Sequence, residues 1–474
     1  ADSTKTLDVD GGTIKLDGNY PTGTANVALG DAALDDESLS GSYNTALGAA
    51  SFGNLTSGTA NLAVGAYAGQ NHTTGSYNVF VGEEAAVGNT TGSSNTAVGR
   101  TALYSNTTAS NNTAVGHQAA YSNTTGEYST MVGWAAGYAN TTGSIEAFGA
   151  GALDANTTGT FNAAFGRSAL TSNTTGNNNV AIGYASLLLN TTASNNTAVG
   201  YQAAYSTTTG ERNTAMGVQS LYTNTTGSFN SAFGRTALYY NTTGQQNVAN
   251  GQDALFSNTT GSYNVAIGKS ALETNTTGID NTAVGYQAGY SNTTNSYNTY
   301  LGDHAGYAAT NWKNTFLGHA SGEAVTTGGS NTILGRYSGN QGGLDIRTSS
   351  NNIVLSDGDG NPRVHIDSTG GIDHKTTGDA LVDHYATNGS YGGIGVVSRV
   401  NRTSTGGNYH FFTAYDDAAS TYRYYVHDSG NVYNVNNTYG GISDVKVKEN
   451  IVDSGSQWDD IKALRVRKYS MKAD

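Results

Sequence analysis

A phrase of the form Asn-Thr-Ala-Val-Gly returns along most of this chain and constrains its fold more than any other feature. Its closing glycine occurs 19 times between Gly30 and Gly335, at a step of 17 residues with one step of 18 and two of 16. Self-similarity at a fixed period of this kind marks a solenoid, in which each unit buries its apolar side only against its neighbours. The unit is too short for a pair of helices. It holds an extended segment ending at the glycine, a turn, a second short apolar segment, and an Asn-Thr-Thr-Gly turn. β-branched residues alternating with small ones suit strands, so the expected class is all-β, a parallel β-solenoid or β-roll.

Stacked coils would set like residues over like, with Asn and Thr forming hydrogen-bonded ladders. The larger apolar residues Val98, Val115, Phe165, Ile182, Val199, Phe233 and Ile267 are expected to stack inside. Gly126, Gly143, Gly159, Gly176, Gly227, Gly244, Gly261 and Gly278 are expected to close the second turn with positive φ. Ala109, Ala193 and Asn295 stand there in three copies, which must turn differently or accept strain. At about 4.8 Å per coil, the stack would run roughly 90 Å. A coil this small has a thin interior, so one chain alone would bury little. Self-association is expected, with a trimer the favoured number, although the period itself does not set it.

Composition agrees with ladders in place of a large charged surface. Only 12% of residues are charged, about half the usual share. There are 64 glycines, roughly double the ordinary frequency, without a collagen period of three. The sequence contains no cysteine, which rules out disulfides and thiolate metal sites. A net charge of −13 argues against nucleic acid as a partner. No apolar run reaches membrane-spanning length, and the nine histidines show no metal-ligand spacing. No cofactor is expected. Glu83, Glu84, Glu127, Glu146 and Glu211 form no recurring pair, so a polysaccharide-cleaving site finds no support in the repeats.

Three patterns carry alternative readings. The Asn-Thr-Thr triplets are formal glycosylation sequons, read here as turns. Tyr43, Tyr77, Tyr128, Phe161, Phe229, Tyr263 and Tyr297 recur just before the repeat asparagine. Such a column could stack on sugars of a host surface, but a packing ladder is the expected reading. Ranks of Thr can bind ice. Here the two threonines of each triplet are adjacent and would face opposite ways in a strand, which weighs against that function.

Beyond Asn340 the repeat fades. Residues 341–442 carry short alternating segments at Asn352–Ser356, Arg363–Ile366, Tyr422–Val426 and Asn431–Val435, expected to form an intertwined β-stalk or tip with a small β domain at 380–427. The cluster Asp357-Gly358-Asp359-Gly360 reads as a hairpin turn in preference to a calcium loop, whose ligand spacing is absent. Residues 443–474 differ. Lys446, Lys448, Lys462, Arg465, Arg467, Lys468 and Lys472 supply seven of the 22 basic residues, and Trp458–Leu464 reads as a helix. The expected domains are therefore a lead-in at 1–25, a shaft of 19 repeats at 26–340, the stalk at 341–442 and a distinct segment at 443–474. The chain opens at Ala1, so its true beginning is expected upstream.

Two resemblances bear on function. The Asn-Thr-Ala-Val-Gly phrase is similar in style to the shorter repeat of trimeric autotransporter adhesin heads, which form left-handed β-rolls packed as trimers. The opening Gly12–Pro21 leading into Asn26-Val-Ala-Leu-Gly looks more like the repeats of bacteriophage tail fibres. The boundary Ile442-Ser443-Asp444-Val-Lys446-Val-Lys448-Glu449-Asn450-Ile451 resembles the start of the intramolecular chaperone auto-processing domain of phage tail spikes and fibres. That resemblance implies a chaperone that trimerises the fibre and cuts itself off between Ile442 and Ser443. Ser443 would be the nucleophile and Lys448 the general base, its pKa lowered by burial. Val445 and Lys446 stand where Arg is frequent, and only 32 residues follow Ile442, fewer than the family's chaperone, which implies truncation. The expected function is a virion tail fibre with no turnover activity. It would attach to a host surface receptor, polysaccharide included, and join other virion tail proteins, without nucleic acid or membrane insertion. The alternatives are a trimeric bacterial surface adhesin, which would need a C-terminal membrane barrel, and an ice-binding solenoid.

Overall fold

Each 17-residue unit closes one coil, and each coil contributes one short strand. The computed structural model describes residues 24–374 and the strands His410–Asp416, Thr421–His427 and Val432–Asn434. The chain divides into two units, 1–381 and 382–474. In the first unit, 19 strands of three or four residues run from Val27–Leu29 to Thr332–Leu334, each paired in parallel with the next. The register is strict: Thr96 faces Thr113, Ala97 faces Ala114 and Val98 faces Val115. The stack continues past the repeats, because Ile353–Ser356 pairs in register with Thr332–Leu334. The sheet then turns antiparallel through Pro362–Ile366 and Ile372–His374. The second unit contains a three-stranded antiparallel sheet of the strands at 410–416, 421–427 and 432–434.

The second apolar segment of the unit is not a strand. Ala102 and Leu103 sit on a turn, with Leu103 in the left-handed region at φ +56°. Thr101 and Asn111 of the same coil are left-handed as well. The left-handed conformation costs an L-residue roughly 1–2 kcal/mol. Coil-to-coil hydrogen bonds hold these residues there: Thr101 donates to the Glu83 carbonyl, Leu103 to Ala119 and Asn111 to Ser93, at 2.9–3.0 Å. The turn glycines expected to take positive φ, such as Gly126, do not. Ala109 and Ala193 stand at the same position and are buried. The glycines that need positive φ are those ending the strands. Gly200, at φ +137°, would place a Cβ 2.5 Å from the Gly217 carbonyl oxygen of the next coil.

The interior also inverts the expectation. From the second strand on, the inward residue of each strand is buried, and in most coils it is alanine, as at Ala97, Ala181 and Ala266. The residue after it points out. Phe165, Ile182, Phe233 and Ile267 are exposed, and Val98, Val115 and Val199 are half-buried. The buried asparagine two residues before that alanine sets the phase, because alternate residues of a strand face opposite sides. The remaining volume is filled by the fourth residue after the glycine, commonly Leu103, Leu170, Leu238 or Leu272. Where that residue is glycine, a large strand centre fills the space: Phe80 beside Gly69, Met131 beside Gly137, Tyr300 between Gly289 and Gly306, Phe316 beside Gly322. Packing to interior density explains the exchange.

Two buried asparagine ladders tie the coils. In the first, the strand asparagine accepts at Oδ1 from the next coil's asparagine N–H and donates through Nδ2 to that coil's turn carbonyl. Asn196 illustrates this, bonding Asn213 and Gly210 at 2.9 Å each. In the second, the turn asparagines donate Nδ2 to the preceding Oδ1, as Asn173 does to Asn156 at 2.8 Å. This ladder breaks at Thr207, which is fully buried. Its Oγ1 and the facing Asn190 Oδ1 have no hydrogen-bond partner. A buried unsatisfied polar atom costs about 1–3 kcal/mol. Thr207→Asn, close to Thr in volume, should restore the ladder, raise the stability by about 1–3 kcal/mol and so raise the unfolding midpoint. An unchanged or lowered midpoint in a denaturant titration would show that the gap is already satisfied.

Candidate interaction surface

Coil geometry turns each outward repeat position into a column along the stack. The last residue of every strand from Leu29 to Leu334, with Leu355 in register beyond them, is apolar except Asn250. The column carries no charge. The residue two before the last of each strand, in register, forms a parallel column of Thr, Ser and aliphatic residues in which Glu146 is the one charged member. Burial raises the Glu146 carboxyl above its ordinary range. Together these columns make a nearly uncharged strand face, with Ile182 42% exposed at its centre.

The aromatic residues before the repeat asparagine border this face, two positions ahead of the strand. They do not form a packing ladder. Tyr43, Tyr77, Tyr128, Phe161, Tyr263 and Tyr297 are more than half exposed, and none stacks on another. The ladders that do form lie elsewhere, five residues after the glycine. Tyr104, Tyr121 and Tyr138 stack at 4.9 and 5.1 Å, and Tyr205, Tyr222, Tyr239 and Phe256 continue the same position at 5.1–5.4 Å. Spacing at the coil period would have revealed both columns in the sequence, and also which one stacks, because only the second places aromatics in successive coils.

The Asn-Thr-Thr turns are structural. Their asparagines, among them Asn89, Asn140, Asn224 and Asn275, are completely buried and out of reach of a glycosylating enzyme once the coil has formed. The segment is a turn, so strand alternation does not decide which way its two threonines face. The first donates its hydroxyl to the next coil's carbonyl, as Thr225 does to Thr242 at 3.1 Å, and the second is exposed. The Asp-Gly cluster forms the turn of an antiparallel hairpin. Asp357 accepts from the Asn361 and Asp359 backbone and pairs with Arg363, and the Asn361 bond above all holds its carboxyl at about 2. Among the described residues no group of three His, Asp or Glu side chains could hold a metal ion, and no helix is long and apolar enough to cross a membrane. Ile442, Ser443, Lys448 and the segment Trp458–Leu464 lie outside the described residues.

The class that the geometry defines is a parallel β-solenoid repeat protein with one strand per coil. No protein-family model, curated protein or solved structure matches the chain.

Proposed function

We propose that this chain is a homotrimeric viral tail fibre, whose solenoid forms a self-associating shaft and whose role is attachment to a bacterial host surface. The observation that carries the reading is the uncharged apolar column at the strand ends. It repeats at every coil from Leu29 to Leu355 except at Asn250. Apolar patches beyond a few hundred Å² are rare on free monomers and mark association surfaces. A second and third copy have the same pitch, so side chains of one column meet those of another in register along the whole length. The buried ladders make the coil stack rigid, which suits a spacer. At the C-terminal end, Ser443 and Lys448 would release the chaperone segment once, after assembly, by cleavage between Ile442 and Ser443.

Native and intact mass spectrometry on the expressed chain test both parts. The expected result is a mass of three chains, with a product ending at Ile442 that Ser443→Ala abolishes. Placing Lys at Ile182 and Ile267 should reduce the assembly to single chains, because two buried cations per protomer would lack partners. A wild-type protein that is monomeric at micromolar concentration would overturn the shaft. An uncut trimer would remove only the self-cleavage.

A further inference from the structure

We propose that the exposed aromatic rank beside the strand face is a binding track for an extended polysaccharide, most developed between Phe229 and Lys313. This rests on the adhesive reading and gives that surface its ligand class. The rank alternates over six successive coils: Phe229, Gln246, Tyr263, Asp280, Tyr297, Lys313. Phe229, Tyr263 and Tyr297 are 46%, 56% and 55% exposed. With about 4.8 Å per coil, an aromatic platform recurs about every 10 Å, with a hydrogen-bonding side chain between platforms. A sugar ring has an apolar face of C–H groups and a polar rim. A chain of such rings lying along the rod would set alternate rings on the platforms and offer hydroxyls to Gln246, Asp280 and Lys313.

Backbone conformation supplies the independent argument. All six residues are left-handed, with φ between +53° and +65°. That region favours Gly, Asn and Asp and disfavours bulky side chains, and Asn111, Asn178 and Asn195 occupy the same column in other coils. The aromatic residues thus sit where the backbone is unfavourable to them. Tyr263 and Tyr297 gain no ring contact in return; Phe229 has the Arg212 guanidinium 5.2 Å from its ring centroid. Each is fixed by a hydrogen bond from its own N–H to the preceding coil: Phe229 to Glu211, Tyr263 to Gln245 and Tyr297 to Ile279, at 3.0–3.1 Å. Local cost without a packing return points to function. Trp312, 56% exposed with the Lys313 ammonium 5.6 Å from its ring, adds an aromatic beside Lys313 in the last coil of the track.

The test uses the full chain and three hexasaccharides: cellohexaose and chitohexaose, both extended and β-linked, and the helical α-linked maltohexaose. Titration calorimetry should show saturable binding of a β-linked probe in preference to maltohexaose. The triple variant Phe229→Asn, Tyr263→Asn, Tyr297→Asn uses a residue that the column already carries, so its fold should persist. Three lost platforms should weaken binding by about tenfold or more. The pair Tyr263→Phe and Tyr297→Phe keeps the ring faces and should retain most of the affinity. Failure of the wild type to bind either β-linked probe, or undiminished binding by the triple variant, overturns the track. A triple variant that dissociates to single chains on native mass spectrometry also overturns it, and assigns the rank to contacts between copies. The wild-type chain number, measured alongside, judges the fibre reading separately.

Discussion

Gly200→Ala should collapse the middle of the solenoid, while Gly151→Ala, a change of identical size, should be tolerated. Gly200 sits at φ +137°, in a region open almost only to glycine, and a Cβ there would lie 2.5 Å from the Gly217 oxygen and 2.7 Å from its carbon. The obstacle is the backbone of the next coil, which is itself locked by in-register pairing with its neighbours. It cannot yield without breaking the stack on both sides. Backbone strain and overpacking each contribute about 1–3 kcal/mol, so a loss of roughly 2–6 kcal/mol is expected. Gly151, at φ +65°, has its nearest neighbouring atom 4.0 Å away. Ala135 and Ala185 occupy the same position in other coils at φ +52° and +53°. Thermal unfolding and hydrogen exchange would separate the two variants. Gly200→Ala should lower the midpoint and open exchange in the coils around 197–217, and equal midpoints for both variants would refute the close-stacking account.

Acid should weaken the N-terminal coils through His72. This residue occupies the place of a turn asparagine and is fully buried, its ring 5.5 Å from Phe52 and 5.7 Å from Phe80. Its Nε2–H donates to the Gly75 carbonyl and its Nδ1 accepts from Asn89 Nδ2, both at 2.8 Å. Protonation would put a second N–H at Nδ1, facing the Asn89 amide donor, in an apolar site. Burial accordingly pushes the imidazole down to about 4, from 6.5 when free. The sign follows from linkage. A depressed pKa means that the unfolded chain takes up the proton first. The neutral ring's contribution is complete above pH 6.5 and is lost as pH falls toward about 4. At 1.36 kcal/mol per unit the span is worth roughly 3 kcal/mol. Asp345 and Asp357, each held at about 2, lose their contributions only below the ordinary carboxylate value of 3.8, in a separate window. Denaturant midpoints measured from pH 7 to pH 4 should fall for the wild type and stay nearly level for His72→Asn, which continues the ladder. Parallel curves for the two proteins would show that His72 is not the group responsible.

The division between what could be read and what could not follows from the symmetry of a repeat. The 17-residue period made the coil count, the parallel in-register pairing and the asparagine and threonine ladders legible, because stacking at one pitch must bring residue i over residue i+17. It also located the candidate columns, since any feature recurring at that step becomes a line along the rod. The period says nothing about which side of a strand faces inward. In the phrase Asn-Thr-Ala-Val-Gly, either Thr and Val or Asn and Ala could be buried. Hydrophobicity pointed to valine, and the structure buries asparagine and alanine. The narrow coil has room at the strand for little more than a methyl group when leucine fills the space opposite, and the asparagine amide reaches both the adjoining strand N–H and the turn carbonyl, as the Ser129 hydroxyl does where serine replaces it. That single phase choice moved the apolar column to the surface, where it became the proposed assembly face. Sequence alone determined the repeat and its register; the direction of every side chain was decided by tertiary packing, because a thin interior must be filled and every amide inside it must find a partner.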